Sequence, residues 1–219
     1  MRTEVPLYQF QRSSPFYPLV TNYIVLLLGF KEFAASGIAL TIQRLPVDER
    51  AKFLEDARAK GNSEVVERLA SITPTELHPP LELVSELENH RIRIDAEETM
   101  LELMQNTSHL IPFLKRTAMG SLLIHAYEAT EPFHDRTPLW EFLRHCRNAA
   151  AHGGQFSFQH REPRRPAIWG RYRIEASLEG TWLAATEEAA GLLAPGDPLR
   201  LLWDIEQATP NMVLHHPII

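Results

Sequence analysis

The sequence predicts a mainly α fold, a helical bundle with a small β-hairpin or sheet appended near its C-terminal end. Three observations carry this expectation. Apolar residues recur at helical spacing from Leu19 to about His152. Prolines, glycines and acidic residues fall where helices should start and stop. Beyond Gly153-Gly154 the pattern changes to strict alternation, as in Ala167-Ile168-Trp169-Gly170-Arg171-Tyr172-Arg173-Ile174. The 219 residues exceed the usual domain size of roughly 100 to 200, but not by enough to demand two cores. With 44% hydrophobic and 23% charged residues, the composition is that of a globular chain. The organisation expected is an N-terminal arm at 1–18, a helical domain at 19–154 and a β/α extension at 155–219 packed on the same core.

The arm carries Pro6, Pro15 and Pro18, with Phe10, Phe16 and Tyr17 available for packing. Leu19 to Leu45 predicts a long helix, nearly apolar all round in its first half and so central to the core. Pro46 opens a second helix with Asp48 and Glu49 in its first turn, and Gly61-Asn62 closes it. A short helix over 63–72 and a proline-marked linker through Thr73-Pro74 and Pro79-Pro80 follow. Leu81 to Gln105 then predicts a helix whose polar face carries Glu82, Glu86, Glu88, His90, Arg91 and Arg93 as a solvated, ion-paired surface. Ser108 to Tyr127 and Thr137 to His152 give two more, the second opened by Thr137-Pro138 and stopped at Gly153-Gly154. Short strands are expected around Phe156-Ser157-Phe158, 167–174 and Gly180-Thr181-Trp182-Leu183, and Asp197-Pro198 caps a last helix, Leu199 to Gln207.

The lone cysteine, Cys146, excludes an internal disulfide, and the N-terminal residues lack the apolar core of a secretory signal. A reducing cytoplasm is the expected location. The apolar run Leu19 to Ile42 is interrupted by Asn22, Lys31, Glu32 and Ser36, and two charges near the middle of a ~20-residue span would cost several kcal/mol in lipid, so no membrane is expected. The net charge of −6 is uneven: Arg136 to Arg173 contains eight arginines against Glu141 and Glu162, a surplus of +6 on an otherwise acidic chain. Such a stretch suits a polyanion held at one place, unless these arginines pair with the chain's own carboxylates.

The stretch most able to carry chemistry is Arg144-His145-Cys146-Arg147-Asn148-Ala149-Ala150-Ala151-His152-Gly153-Gly154. On a helix, Arg144, Arg147, Asn148 and His152 share one broad face, and the alanines let another backbone approach. Arg147 and His152 are separated by about 140° of rotation, so they flank a cleft without touching. Arginine and histidine near a helix C-terminus also offset its dipole, which supplies a purely structural reason for both.

Arg147-Asn148-Ala149-Ala150-Ala151-His152 is similar to the R-x4-6-H signature of the HEPN superfamily, in which a polar residue typically follows the arginine. Its position at the end of a late helix, before Gly-Gly, matches the context of that signature over about Thr137 to Gly154. The following segment, through Trp169 and Gly180 to Leu201-Leu202-Trp203-Asp204, also resembles the tail of toxin-type members. The resemblance implies an HEPN-like antiparallel bundle and a homodimer whose motif helices meet to build a shared, metal-free ribonuclease centre. It implies a toxin or antiphage, abortive-infection effector, held in check by an antitoxin or other regulatory partner. The alternative is a non-catalytic module of the same family that binds RNA, a nucleotide or a protein.

Residue chemistry fits the first of these. Metal-independent RNA cleavage uses the 2′-hydroxyl as nucleophile and needs proton transfers, which suit His152, and positive charge on the phosphorane, which suits Arg147. Asn148 can orient either group. Products would be a 2′,3′-cyclic phosphate and a 5′-hydroxyl. Arg144 and His145, one turn earlier, and Arg164, Arg165, Arg171 and Arg173, interleaved with Trp169 and Tyr172, are the candidate RNA-binding residues, combining charge with stacking surface. Trp169 and Tyr172 could instead pack the small sheet onto the bundle. No metal and no cofactor is expected, because His78, His90, His109, His125, His134, His160 and His215-His216 show no metal-ligand spacing and no Gly-rich phosphate loop occurs.

Overall fold

The structure, a computed structural model, describes residues 10–61, 81–84, 91–104, 107–158, 163–186 and 189–214. It is mostly helical with a few short strands. Among the described residues the helices are α1 (Tyr17–Arg44), α2 (Val47–Ala59), α3 (Ala96–Met104), α4 (Thr107–Ala129), α5 (Pro138–Ala151) and α6 (Asp197–Ala208). The strands are β1 (Leu81–Val84), β2 (Arg91–Ile94), β3 (Ala167–Trp169), β4 (Tyr172–Ile174), β5 (Trp182–Ala184) and β6 (Gly191–Leu193). The chain divides into two compact units, one of residues 1–27 with 112–219 and one of residues 28–111.

In the unit of residues 28–111, α2 starts directly after Pro46 and Gly61 ends it at φ 81°, as its punctuation predicts. Leu54 packs on Ala39 and Ile42 of α1. Gly37 leaves room for the side chains of Met100 and Met104, which a Cβ there would meet at 3.2 and 2.4 Å. The helix expected over 81–105 is corrected. Among its described residues only α3 is helical, and β1 and β2 form an antiparallel pair with Leu81 opposite Ile94 and Leu83 opposite Ile92. Apolar residues at 81, 83, 92 and 94 alternate with polar ones, so a period of two outweighs the helical spacing, and β-branched Ile92 and Ile94 favour the pleat. Glu82 and Arg91 stand 4.0 Å apart across this pair, both exposed. Helix α3 begins where the Asp95 carboxylate accepts a hydrogen bond from the Glu98 amide (3.0 Å), an N-cap at the end of the ladder. The helix and linker expected over 63–80, together with Glu86, Glu88 and His90, lie outside the described residues.

The expectation that α1 is a buried core helix also needs correction. Phe16, Leu19, Val20 and Tyr23 are buried at its start and Ala39, Leu40 and Ile42 near its end. Between them Val25 and Leu28 are 58% and 56% exposed, and only 22% of its most apolar stretch is buried. By length and composition it is the one described helix able to cross a membrane.

In the unit of residues 1–27 and 112–219, α5 is the central element. It packs chiefly on β3, and also on β4, β5 and α6. Phe142, Leu143 and Cys146 of α5 and Leu201, Leu202 and Ile205 of α6 have no exposed surface. Strands β3 and β4 form a hairpin turning at Gly170-Arg171, where Gly170 takes φ 55°. The alternation seen in the sequence is met there, with Ala167, Trp169 and Ile174 facing the core. Phe156-Ser157-Phe158 is not a strand; Gln155 makes a single bridge to Trp182 instead. Strand β6, parallel to β5, was not expected. The arm packs on α6: Phe10 meets Trp203 edge-on with centroids 5.6 Å apart, and the Phe16 amide donates to Glu206 Oε1 at 3.0 Å. Cys146 is buried and its thiol is pushed well above the usual range by burial, so it stays protonated.

Candidate functional site

Helix α5 starts with Pro138 in its first turn and ends in paired left-handed glycines, Gly153 at φ 86° and Gly154 at φ 85°. The Gly154 amide donates to Ala149 O at 2.8 Å, the closing bond of a Schellman end. His152 is the C-cap residue, exposed, and its side chain has no hydrogen-bond partner among the described residues. Arg147, five residues earlier, points to α4. Its guanidinium bonds Glu128 through Nε at 2.9 Å and through Nη2, reaches Asn148 Oδ1 at 3.4 Å, and lies 5.9 Å from the centre of the Tyr127 ring. The structure therefore brings Arg147 and Asn148 together and leaves His152 apart, at the helix tip.

Burial raises the Tyr127 hydroxyl above its ordinary value, against the lowering pull of Arg144 and Arg147. Tyr127 also lines a cleft of about 600 Å³ along the first half of α5. This cleft collects four arginines from three places: Arg136 from the segment before α5, Arg144 from α5, and Arg164 and Arg165 from the segment before β3. Buried Glu141 organises two of them, accepting from Arg144 Nε at 2.9 Å and from Arg165 Nη1 at 3.2 Å. Arg136 and Arg164 are exposed and have no carboxylate partner among the described residues. Arg136 stands at φ 64°, a backbone region that side-chain-bearing residues rarely adopt. His134 forms part of the wall, its ring 4.1 Å from Tyr127 and 4.8 Å from Trp140, with Nε2 3.1 Å from Thr130 Oγ1. Burial lowers its affinity for a proton below the ordinary imidazole value.

No family model, no curated protein and no solved structure matches the chain.

The arginine-rich stretch thus splits into three groups. Arg136, Arg144, Arg164 and Arg165 share the cleft, and Arg147 stands beside Glu128 of α4. Arg171 and Arg173 lie away on the hairpin, Arg171 with its guanidinium 5.3 Å from the Tyr172 ring and Arg173 beside Glu175 at 3.8 Å. Two of the residues expected to touch RNA are instead withdrawn from solvent. Trp169 is 8% exposed, stacks on Tyr172 and donates its indole N–H to Asp204 at 2.8 Å, because β3 turns that face onto α5. His145 is 2% exposed, lies 5.8 Å from the Phe158 ring and accepts from Arg144 Nη2 at 2.9 Å. Neither presents a ring for a base to stack on. His134, Arg136 and Glu141 were not among the site residues expected from the sequence, although Arg136 and Glu141 belong to its basic stretch; only the spacing of Glu141 and Arg144, three residues apart on a helix, carried a local hint. Among the described residues no three His, Cys, Asp or Glu side chains come together in a way that could hold a metal ion.

Proposed function

We propose that this chain is an HEPN-type, metal-independent endoribonuclease that grips the RNA backbone in the arginine cleft of α5 and cleaves it with Arg147 and His152. The observation that carries this reading is the cleft itself. Four arginines converge on the helix that bears the motif, and two of them have no carboxylate partner among the described residues. Guanidinium groups so arranged match successive phosphates better than they match a neutral ligand, because each planar fork can bond two oxygens. Arg147 extends the row beyond Tyr127.

The Arg147–Glu128 pair does not bar Arg147 from a phosphate. The Glu128 side chain is 52% exposed, and an ion pair so open to water contributes only about 0–1 kcal/mol. A doubly bonded phosphate displaces it. His152 is exposed at the helix tip, about 140° round α5 from Arg147, so the proposed centre is completed by a second copy whose α5 brings its own histidine. In that dimer one His152 takes the 2′-hydroxyl proton and the other protonates the leaving 5′-oxygen.

The same separation of Arg147 from His152 favours a second reading, a non-catalytic module that binds RNA in the cleft. Incubation of the purified chain with single-stranded RNA in EDTA separates the two. The nuclease reading expects cleavage that Arg147→Ala and His152→Ala each abolish, with helicity and oligomeric state unchanged. Retention of RNA with no cleavage by the unaltered chain supports the binding module, and undiminished cleavage by both variants refutes the assigned centre.

A further inference from the structure

We infer that a second cavity, at the far end of α5, is a binding site for a small apolar molecule carrying one negative charge. The cavity is about 550 Å³ and lies where α4, the end of α5 and β5 meet. Its walls are mostly apolar, with Phe113 and Ile124 from α4 and Trp182 and Leu183 from β5, and α4 adds the polar side chains of Thr117, Ser121 and His125. Its floor is bare, because α4 and α5 cross at Gly120 and Ala150, where an added Cβ would already stand 3.5 Å from the alanine methyl. Gly154 likewise leaves the face of Trp182 open, since a Cβ there would meet that ring at 3.5 Å. Small residues at these positions preserve a hollow that larger side chains would fill, and hollows of this size with mostly apolar walls suit a small organic ligand.

Arg116 supplies the polar feature. Its guanidinium lies 4.0 Å over the Trp182 ring, and its one hydrogen bond is a long 3.4 Å contact from Nη2 to Thr186 Oγ1. Its Nε is shielded from solvent and has no hydrogen-bond partner among the described residues. The shielded Nε is closed to a ligand, so an acceptor entering the cavity meets the guanidinium along its outer edge, Nη1 and Nη2. A carboxylate meets that edge with two parallel bonds, and the apolar remainder of the molecule then covers Trp182 and Ile124. One permanent cation among mostly apolar walls, with His125 tied by Nδ1 to the Ser121 carbonyl at 2.7 Å, selects a single anionic head on an apolar body. A polyanion such as RNA finds its complement in the four-arginine cleft instead. This site is independent of the ribonuclease reading.

Octanoate and octanol, equal in chain length and different in charge, are the probes. Each is titrated into the full chain at pH 7.5 while the Trp182 indole N–H signal is followed by NMR, that signal being identified by its loss in Trp182→Phe. Octanoate should bind at least tenfold more tightly than octanol. In Arg116→Met the preference should fall to about one, with octanol affinity unchanged. Thr117→Phe, which leaves Arg116 in place and adds bulk at a lining position, should weaken octanoate at least tenfold. Equal affinity for the two probes, the result expected if a carboxylate of the chain already neutralises Arg116, overturns the assignment. So does octanoate binding unchanged in either variant.

Discussion

Arg136 is held in a left-handed backbone conformation, φ 64°, and is exposed in the arginine cleft without a carboxylate partner among the described residues. For a residue with a Cβ this conformation costs about 1–2 kcal/mol. Glycine adopts it freely but loses about 0.5–1 kcal/mol more conformational entropy on folding. Arg136→Gly should therefore leave stability unchanged or raise it by up to about 1.5 kcal/mol, whereas an average substitution destabilises. If Arg136 binds a phosphate, the same change should weaken single-stranded RNA. Each phosphate contact contributes a slope of about 0.7 in log affinity against log salt, which amounts to about fourfold at 0.15 M salt. Urea unfolding measures the first effect, and fluorescence anisotropy with a labelled RNA over a salt series measures the second. A variant that is less stable by more than about 1 kcal/mol refutes the strain; an unchanged affinity and salt slope refute the phosphate contact.

Glu141→Gln should destabilise the chain by about 1–2 kcal/mol, since hydrogen bonds to charged groups are the stronger ones and the half-exposed Arg165 contributes little; urea midpoints check this. Burial lowers the proton affinity of His134 despite the Tyr127 carbonyl and the nearby Glu131, Glu128 and Asp135, so folding favours its neutral form. Its contribution is complete above pH ~6.5 and is lost as pH falls from there towards the lowered value, so the loss of stability between pH 7.5 and 5.5 should shrink in His134→Asn. Gly191→Ala should cost about 3 kcal/mol, because the new Cβ would stand 2.3 Å from the Ala184 carbonyl carbon, backbone that cannot move without breaking the β5–β6 pair. Gly37→Ala meets side chains alone, those of Met104 and Met100, which can shift where backbone cannot, and should cost less, about 1–2 kcal/mol; thermal unfolding distinguishes the two.

The helices were legible wherever punctuation and periodicity agreed. Pro46 with Gly61, and Thr137-Pro138 with Gly153-Gly154, bracket α2 and α5 to within a residue or two. The β1–β2 pair was missed because Leu81, Val84 and Leu87 fit a helical spacing while Leu81 and Leu83 fit a strand, and a four-residue strand offers too few positions to decide. Strand β6 is three residues, Gly191-Leu192-Leu193, with no alternation to read. The depth of α1 was misjudged for a different reason. An all-round apolar helix reads as buried, yet what covers it is a tertiary property, and Val25 and Leu28 remain open.

Of the site, the motif helix was visible and the cleft was not. Arg144 joins Arg164 and Arg165 only because the chain returns past α5 some twenty residues later, and Arg136 joins them from an irregular segment with no periodicity to mark it. The fate of Trp169 was undecidable from sequence, since a tryptophan among arginines serves base stacking and sheet packing equally well; the 2.8 Å bond to Asp204 belongs to the second. Whether the arginines would pair with the chain's own carboxylates also depended on the fold. Arg144, Arg147, Arg165 and Arg173 do so, through Glu141, Glu128 and Glu175.

The central claim is that RNA held on α5 is cut through its own 2′-hydroxyl. Its most direct test is mass-spectrometric analysis of the ends produced when the purified chain acts on a labelled single-stranded RNA in EDTA. Attack by the 2′-hydroxyl yields fragments ending in 2′,3′-cyclic phosphate and beginning with 5′-hydroxyl, with an otherwise identical DNA left whole. RNA recovered intact at an excess of protein, or fragments bearing 5′-phosphates, would contradict it.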